Sequence, residues 1–312
     1  MGICCRTATI AAVALLCGAP LARAQAADAD EETGRAVASF VRVIKENAGF
    51  VEGIGSGGLT AQREPTTVKI APLTTFPRPH TEARILAHYI FDSVEAPKIG
   101  VLHPNDVAGR DYVDGLRAGL GDGAGRLLLR VLAYDPAQPG IDALVVQLRG
   151  ADANVLVDFA PPEIAAQVVR KTAELGWAPI HVVTSAAALA GVTGKGLVAA
   201  HYLKLPSDPQ WRTDAEVQAW RAWLRQYFPD AGPNDPLYLQ GYAAGHVLVP
   251  RLKGGGADAR VPMLLPAIAV AAEASSEGMI TRMQMMGFSG DRWQTIGPVL
   301  GPGLPPSAAR KP

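Results

Sequence analysis

The stretch KIGVLHPNDVAGRDYVDGL (Lys98–Leu116) contains the pattern that decides the fold. Its first six residues, Lys98–His103, form a short apolar run that is typical of a buried strand. Residues Pro104–Gly109 then predict a loop, and Val113 and Leu116 begin an apolar spacing that fits one face of a helix. The stretch therefore predicts a strand, a loop and a helix, in that order.

The same alternation continues toward the C-terminus. Further strands are predicted over 126–133, 154–159 and 180–184, and helices over 141–148 and from Pro161 to Gly176. Strands separated by single helices require crossover connections, which favour a parallel, doubly wound α/β sheet. Ligands of such sheets bind beyond the carboxyl ends of the strands. Here that edge comprises Pro104–Gly109, Phe159–Pro162 and Thr184–Ala188.

The N-terminus has the pattern of a signal peptide. Arg6 precedes an apolar run, Ala8–Leu16, that is too short for a membrane-spanning helix. Two small-x-small sites follow, ending at Ala24 and Ala26, so residues 1–24 are predicted to be a secretory signal peptide. A lipid anchor at Cys17 and an apolar strand or helix are the alternatives.

Composition excludes several classes of protein. The 312 residues include 29 basic and 29 acidic side chains, which argues against a nucleic-acid-binding protein. All three cysteines lie in the first 17 residues, so the processed chain has no disulfide, no thiol nucleophile and no cysteine-ligated zinc. No later apolar run is long enough to span a membrane.

Motifs for catalysis are weak or missing. Gly53, Gly55 and Gly58 match GxGxxG, but neither a preceding strand nor a following helix supports a dinucleotide site. The grouping of His80, Glu82 and His88 lacks zinc-protease spacing and is interpreted as a solvated helix start. The sequence therefore predicts a protein that is not an enzyme and has neither a metal nor a cofactor.

Three polar residues near the strand ends have simpler interpretations. His103 is interpreted as a core or edge histidine, and Asp106 as a helix cap. Asp158 is interpreted as a polar residue at the edge of the sheet. The second half of the chain predicts helices over 215–228 and 238–252, and a hairpin formed by 283–288 and 292–296.

Several separated landmarks resemble one family. They are EARILAHYI (Glu82–Ile90), the Lys98–Leu116 stretch, FAPPEIAAQVVRKTAELGW (Phe159–Trp177), LQGYAAGHVLV (Leu239–Val249) and MQMMGFSGDRW (Met283–Trp293). In this order they resemble the substrate-binding proteins of branched-chain amino acid ABC transporters, the leucine-binding-protein-like members of the type I periplasmic binding fold. The resemblance implies two lobes with an amino acid or another small carboxylate, aromatic carboxylates included, between them. It also implies delivery of this ligand to a membrane permease.

The sequence also departs from that family. The first strand, the following Ser/Thr loop and part of the first sheet are missing, so the N-terminal lobe is expected to be incomplete. The expected division is a truncated N-terminal segment over 25–97 and a C-terminal α/β lobe over 98–205. Crossover helices and a terminal hairpin that returns between the lobes follow over 206–301, and a disordered tail over 302–312.

The resemblance implies a set of ligand-binding residues on the loops at the strand ends. Asn105 and Asp106 are interpreted equally well as a turn with a helix cap, and Ser56 is interpreted equally well as part of a plain Gly-rich loop. The set is Asn105, Asp106, Ala108, Phe159, Ala160, Ser185, Ser56, Gly57 and Tyr238.

Three hypotheses about function follow. The first is a periplasmic solute-binding protein of an ABC importer. The second is a degenerate sensor or scaffold that keeps the fold but binds no small molecule. The third, an α/β hydrolase, lacks a nucleophile and a base in the sequence and ranks last.

Overall fold

A computed structural model of the chain describes residues 31–43, 45, 77–233, 235–252, 261–268 and 280–303. The predicted signal peptide and the predicted site residues Ser56 and Gly57 lie outside these described residues. The same is true of most of the predicted tail. The described part contains one mixed sheet and the helices that pack around it.

The sheet has seven strands in the order β2-β1-β3-β4-β5-β6-β7. Strands β1 to β5 are parallel, whereas β6 pairs antiparallel with β5 and β7 antiparallel with β6. This confirms the predicted doubly wound parallel sheet and the terminal hairpin. The strands are β1 (Ile99–Pro104), β2 (Leu128–Tyr134), β3 (Val155–Asp158), β4 (Ile180–Val183), β5 (Leu197–His201), β6 (Met283–Phe288) and β7 (Trp293–Leu300).

Helices cover both faces of the parallel part of the sheet. Every residue of β1, β3 and β5 is buried, although successive side chains point to opposite faces, as in parallel sheets that are covered on both sides. No helix among the described residues is both long and apolar enough to cross a membrane. The helices are α1 (31–43), α2 (Pro79–Ser93), α3 (Val107–Leu120), α4 (Ala124–Leu127), α5 (Ile141–Gly150), α6 (Pro162–Glu174), α7 (Ser185–Leu189), α8 (Ala215–Tyr227) and α9 (Pro236–Leu252).

Two glycines let α2 lie directly against α3. A Cβ atom on Gly115 would be 2.4 Å from the carbonyl oxygen of His80, and one on Gly119 would be 2.6 Å from the Cβ of Ala87. Both distances are far below an ordinary van der Waals contact. Glycine at these two positions is therefore what allows α2 to approach α3 closely enough to bury its inner face.

A second glycine pair joins α1 to α9. A Cβ atom on Gly241 would be 2.8 Å from Cγ2 of Val41, and one on Gly245 would be 2.7 Å from Cγ1 of Val37. The indole Nε1 of Trp223 in α8 also donates a hydrogen bond to the carbonyl of Gly34, at 3.0 Å. Helices α1, α8 and α9 therefore form one packed group.

The boundaries of some elements differ from the prediction. The predicted loop over 104–109 is much shorter, because β1 extends to Pro104 and α3 begins at Val107. Strand β5 was not predicted, because its sequence, LVAAH, is short and partly made of alanine. The hairpin pairs antiparallel with β5 and extends the same sheet. The expected return of this hairpin between two lobes stays a prediction.

Substitution of Gly115 tests the contact between α2 and α3. We expect Gly115→Ala to lower the free energy of unfolding by about 1–3 kcal/mol, because the added methyl group overlaps the backbone of α2. Gly125→Ala is the control, since a Cβ at this exposed helical position meets no atom within 4 Å. It should be neutral or stabilising by up to about 1 kcal/mol. Urea unfolding of both variants measures the difference, and equal midpoints would contradict the assignment.

Candidate functional site

The carboxyl ends of the parallel strands meet at one edge of the sheet, and the predicted site loops lie there. After β1, Asp106 caps α3 by accepting a hydrogen bond from the backbone N–H of Gly109 at 2.7 Å, which confirms its predicted capping role. The amide oxygen of Asn105 accepts from Arg110 at 3.3 Å. Both polar residues of this loop therefore have local structural partners.

A groove of about 900 Å³ opens beside the loops that follow β3 and β4. One wall is the segment after β3 that begins α6, and the opposite wall comprises α7 and the turn after it. The first turn of α9 closes one side. The lining residues are Pro161, Pro162, Glu163, Ala166, Ala186, Ala190, Gly191, Val192, Thr193, Asp235, Pro236, Leu237 and Gln240.

The groove combines an apolar surface with a few polar groups. Most of its lining is proline, alanine, valine and leucine. Asp235 accepts a hydrogen bond from the backbone N–H of Leu237 at 2.9 Å, and the amide of Gln240 donates to the hydroxyl of Tyr202 at 3.1 Å. Glu163 and Thr193 are exposed on opposite walls. This chemistry suits a small, partly apolar molecule with a few hydrogen-bonding groups.

None of the predicted site residues that the structure describes lines this groove. Phe159, Ala160, Ser185 and Tyr238 are buried beside it, and each is followed within two residues by a residue that does line it. Ala108 lies in α3, whereas Asn105 and Asp106 are exposed just before it. The predicted residues after β3 and β4 therefore lie on the segments that form the groove, but their side chains support it from behind.

Glu82 is the buried group that connects these supporting residues. Its side chain, in the first turn of α2, is 2% exposed, so the predicted solvated helix start is wrong for this residue. The backbone N–H of Ser185 donates to Oε1 at 2.6 Å, and the Ser185 hydroxyl donates to Oε2 at 3.1 Å. The hydroxyl of Tyr112 donates to Oε2 at 3.2 Å. Sequence periodicity gave no signal for this cluster.

Burial dominates the electrostatics of Glu82. Removal of the carboxylate from water raises the pKa of Glu82 to about 7, and the hydrogen bonds from Ser185 and Tyr112 only partly oppose that rise. The same burial and the neighbouring Glu82 charge raise the pKa of Tyr112 well above its usual value. Tyr112 therefore stays protonated and remains a hydrogen-bond donor.

Two other polar groups near the strand ends belong to the core. Asp158 is fully buried in β3, between β1 and β4, so the interpretation as a residue at the edge of the sheet is wrong. It accepts from the backbone N–H of Ala160 at 3.0 Å and contacts Nε2 of His181 at 3.4 Å. Burial lowers the pKa of His103, whose Nδ1 lies 2.9 Å from the carbonyl oxygen of Pro104. His103 is thus a core histidine, as predicted.

The described residues contain no group of three or more His, Cys, Asp or Glu side chains arranged to hold a metal ion.

The family model for periplasmic binding proteins matches residues 35–291. No curated protein sequence matches the chain.

Solved structures share the fold at low sequence identity. A branched-chain amino acid ABC transporter protein from Thermus thermophilus with bound valine aligns with a TM-score of 0.56 and 16% identity, covering 72% of this chain and 65% of that one. This chain therefore spans just under two thirds of the length of that relative. A substrate-binding periplasmic protein from Ralstonia solanacearum aligns with a TM-score of 0.55 and 17% identity, covering 88% and 84%.

A third structure was solved with a different ligand. It is an ABC transporter solute-binding protein from R. palustris in complex with benzoate, with a TM-score of 0.51, 17% identity and coverage of 74% and 67%. At these identities, the likeness establishes the fold.

The raised pKa of Glu82 predicts a pH-dependent stability. The folded protein holds the Glu82 proton more tightly than the unfolded chain, whose carboxyl has its ordinary pKa of 4.5. Stability from this group is therefore greatest below pH 4.5 and is lost as the pH rises to about 7. The expected loss is roughly 3 kcal/mol.

Glu82→Gln isolates this contribution, because glutamine keeps the shape and cannot ionise. Urea unfolding of both proteins between pH 4 and pH 8 should show wild type losing stability relative to Glu82→Gln as the pH rises. A difference that stays constant over this range would show that Glu82 titrates normally.

Proposed function

The chain belongs to the periplasmic binding protein family, and from that membership we propose that it is an extracytoplasmic solute-binding protein of an ABC importer. The observation that carries the proposal is the groove at the carboxyl ends of β3 and β4. Doubly wound α/β sheets bind their ligands at this edge. The groove has the volume and the mostly apolar lining of a small-molecule site.

We further propose that the ligand is an amino acid or a related small carboxylate. The valine and benzoate bound in two structures of similar fold support this class. The carboxylates of Glu163 and Asp235 lie at the groove and can accept hydrogen bonds from an ammonium group. The apolar lining suits an aliphatic or aromatic side chain.

The proposed partner is the membrane permease of an ABC transporter. The predicted signal peptide over 1–24 would export the chain to the periplasm, where such a partner takes the ligand from its binding protein. This role requires that the protein bind its ligand reversibly and leave the ligand chemically unchanged.

A thermal-shift screen of the chain without residues 1–24 tests ligand binding. The probes are L-valine, L-leucine and benzoate, with glucose as a chemically unrelated control. A probe at one hundred times its dissociation constant should add about 2.7 kcal/mol of stability, which raises the melting midpoint by several degrees. A cooperative melt that none of the probes moves would oppose the solute-binding role and favour the sensor or scaffold hypothesis.

A steric variant tests whether the groove is the binding site. Ala166 is exposed on α6 and lines the groove, whereas Ala173 is exposed on the same helix outside it. Ala166→Trp should fill part of the groove and weaken binding of the active probe at least tenfold. Ala173→Trp should leave affinity unchanged. Equal affinities of the two variants in isothermal titration calorimetry would place the ligand elsewhere.

A further inference from the structure

The two opposite walls of the groove are connected through the protein interior. We call residues Phe159–Ala166 the first wall and residues Ser185–Thr193 the second wall. They belong to the segments after β3 and β4, and no hydrogen bond that the structure gives for the described residues joins them directly. Packing of α6 against α7 and the pairing of β3 with β4 hold the two segments side by side. Groups that lie behind the walls add polar contacts to this packing.

Glu82 fixes the second wall at its first residue. Both donors of Ser185, the backbone N–H and the hydroxyl, point to the Glu82 carboxylate at 2.6 and 3.1 Å. Helix α7, which starts at Ser185, has only five residues. So short a helix has little stability of its own and depends on tertiary contacts.

The same carboxylate reaches the first wall through an aromatic pair. Tyr112 donates its hydroxyl to Oε2 of Glu82 at 3.2 Å. Its ring stacks on Phe159, with ring centroids 4.6 Å apart and an angle of 13° between the planes. A stacked pair of this kind adds stability beyond its buried area. One carboxylate thereby holds α2, the second wall and, through Tyr112, the first wall.

We propose that Glu82 is a positioning residue that sets the separation of the two groove walls without touching the ligand. The proposal rests on the proposed function for its importance to binding, but the coupling of the walls can be measured without any ligand. It also reassigns Ser185. Because both donors of Ser185 are bound to Glu82, Ser185 supports the wall, and the ligand meets the lining residues that begin with Ala186.

Hydrogen–deuterium exchange followed by mass spectrometry tests the coupling in the full chain without residues 1–24. Glu82→Ala should raise exchange at least tenfold in both walls, because Ser185 in the second wall loses its acceptor and so does Tyr112, whose ring stacks on Phe159 in the first wall. Glu82→Gln keeps an acceptor oxygen for the Ser185 N–H and should exchange as wild type does. Residues Ile141–Gly150 in α5 are the internal control and should keep their protection in every variant.

Two variants that each remove one hydroxyl oxygen test the contact through Tyr112 and the contact through Ser185 separately. Tyr112→Phe removes the hydroxyl but keeps the ring on Phe159, so it should raise exchange in the first wall alone. Ser185→Ala removes one donor and should raise exchange in the second wall alone. These mild variants keep the test available if Glu82→Ala does not fold.

Three results would overturn the proposal. They are unchanged exchange in the walls of Glu82→Ala, a uniform rise that includes α5, and a rise in Glu82→Gln equal to that in Glu82→Ala. If benzoate or valine binds the wild type, Glu82→Ala should also bind it at least tenfold more weakly, with Glu82→Gln within threefold. If no probe binds, the proposed function fails while the exchange result still decides the role of Glu82.

Discussion

Strands β1, β3 and β5 are buried on both faces, and the need to cover those faces limits where the surrounding helices can lie. Helix α2 can cover its part of the sheet only by lying against α3, which requires glycine at positions 115 and 119. That approach takes the first turn of α2, with Glu82, out of water. A buried carboxylate needs donors, and the nearest ones are on Tyr112 and Ser185. The packing of α2 against α3 and the hydrogen bonds to Glu82 at the strand ends therefore depend on each other.

The groove lies where this covering of the sheet is interrupted. Helix α6 begins at Pro162, the second of two consecutive prolines, and α7 ends at Leu189, two residues before Gly191, and these ends line the groove. The first turn of α9, which belongs to the group of helices α1, α8 and α9, supplies the third side. The groove is therefore bordered by α6 and α7 and by the packed group of α1, α8 and α9. Its shape depends on how firmly its walls are held.

Local patterns were sufficient to predict most of the framework. Strand β1 and helix α3 follow from apolar spacing within 19 residues, and the hairpin follows from the turn at Ser289–Asp291. Strand β5 was missed because LVAAH has few β-branched or aromatic residues, and its burial comes entirely from its neighbours in the sheet.

The site was predicted less well, for a different reason. An acidic residue in the first turn of an amphipathic helix has the pattern of a solvent-facing residue. The burial of Glu82 depends on Ser185, which is 103 residues away in sequence. Phe159 and Tyr238, which the sequence predicts to bind a ligand, are buried beside the groove and do not line it. Which of two adjacent residues faces a ligand is decided by tertiary contacts that no local pattern encodes.

The glycine contacts between α1 and α9 have a consequence for how the chain is made. Val37 and Val41 pack against Gly245 and Gly241, about 200 residues later in the sequence. At ordinary rates of synthesis, that interval corresponds to roughly 10–40 s. Among the described residues α1 is the first helix to be synthesised, and the glycines of α9 follow only after this interval. The described strands and helices between them can already pair with near neighbours. The contact between α1 and α9 is therefore among the last of the described contacts to form, and Val37 and Val41 need protection from aggregation until then.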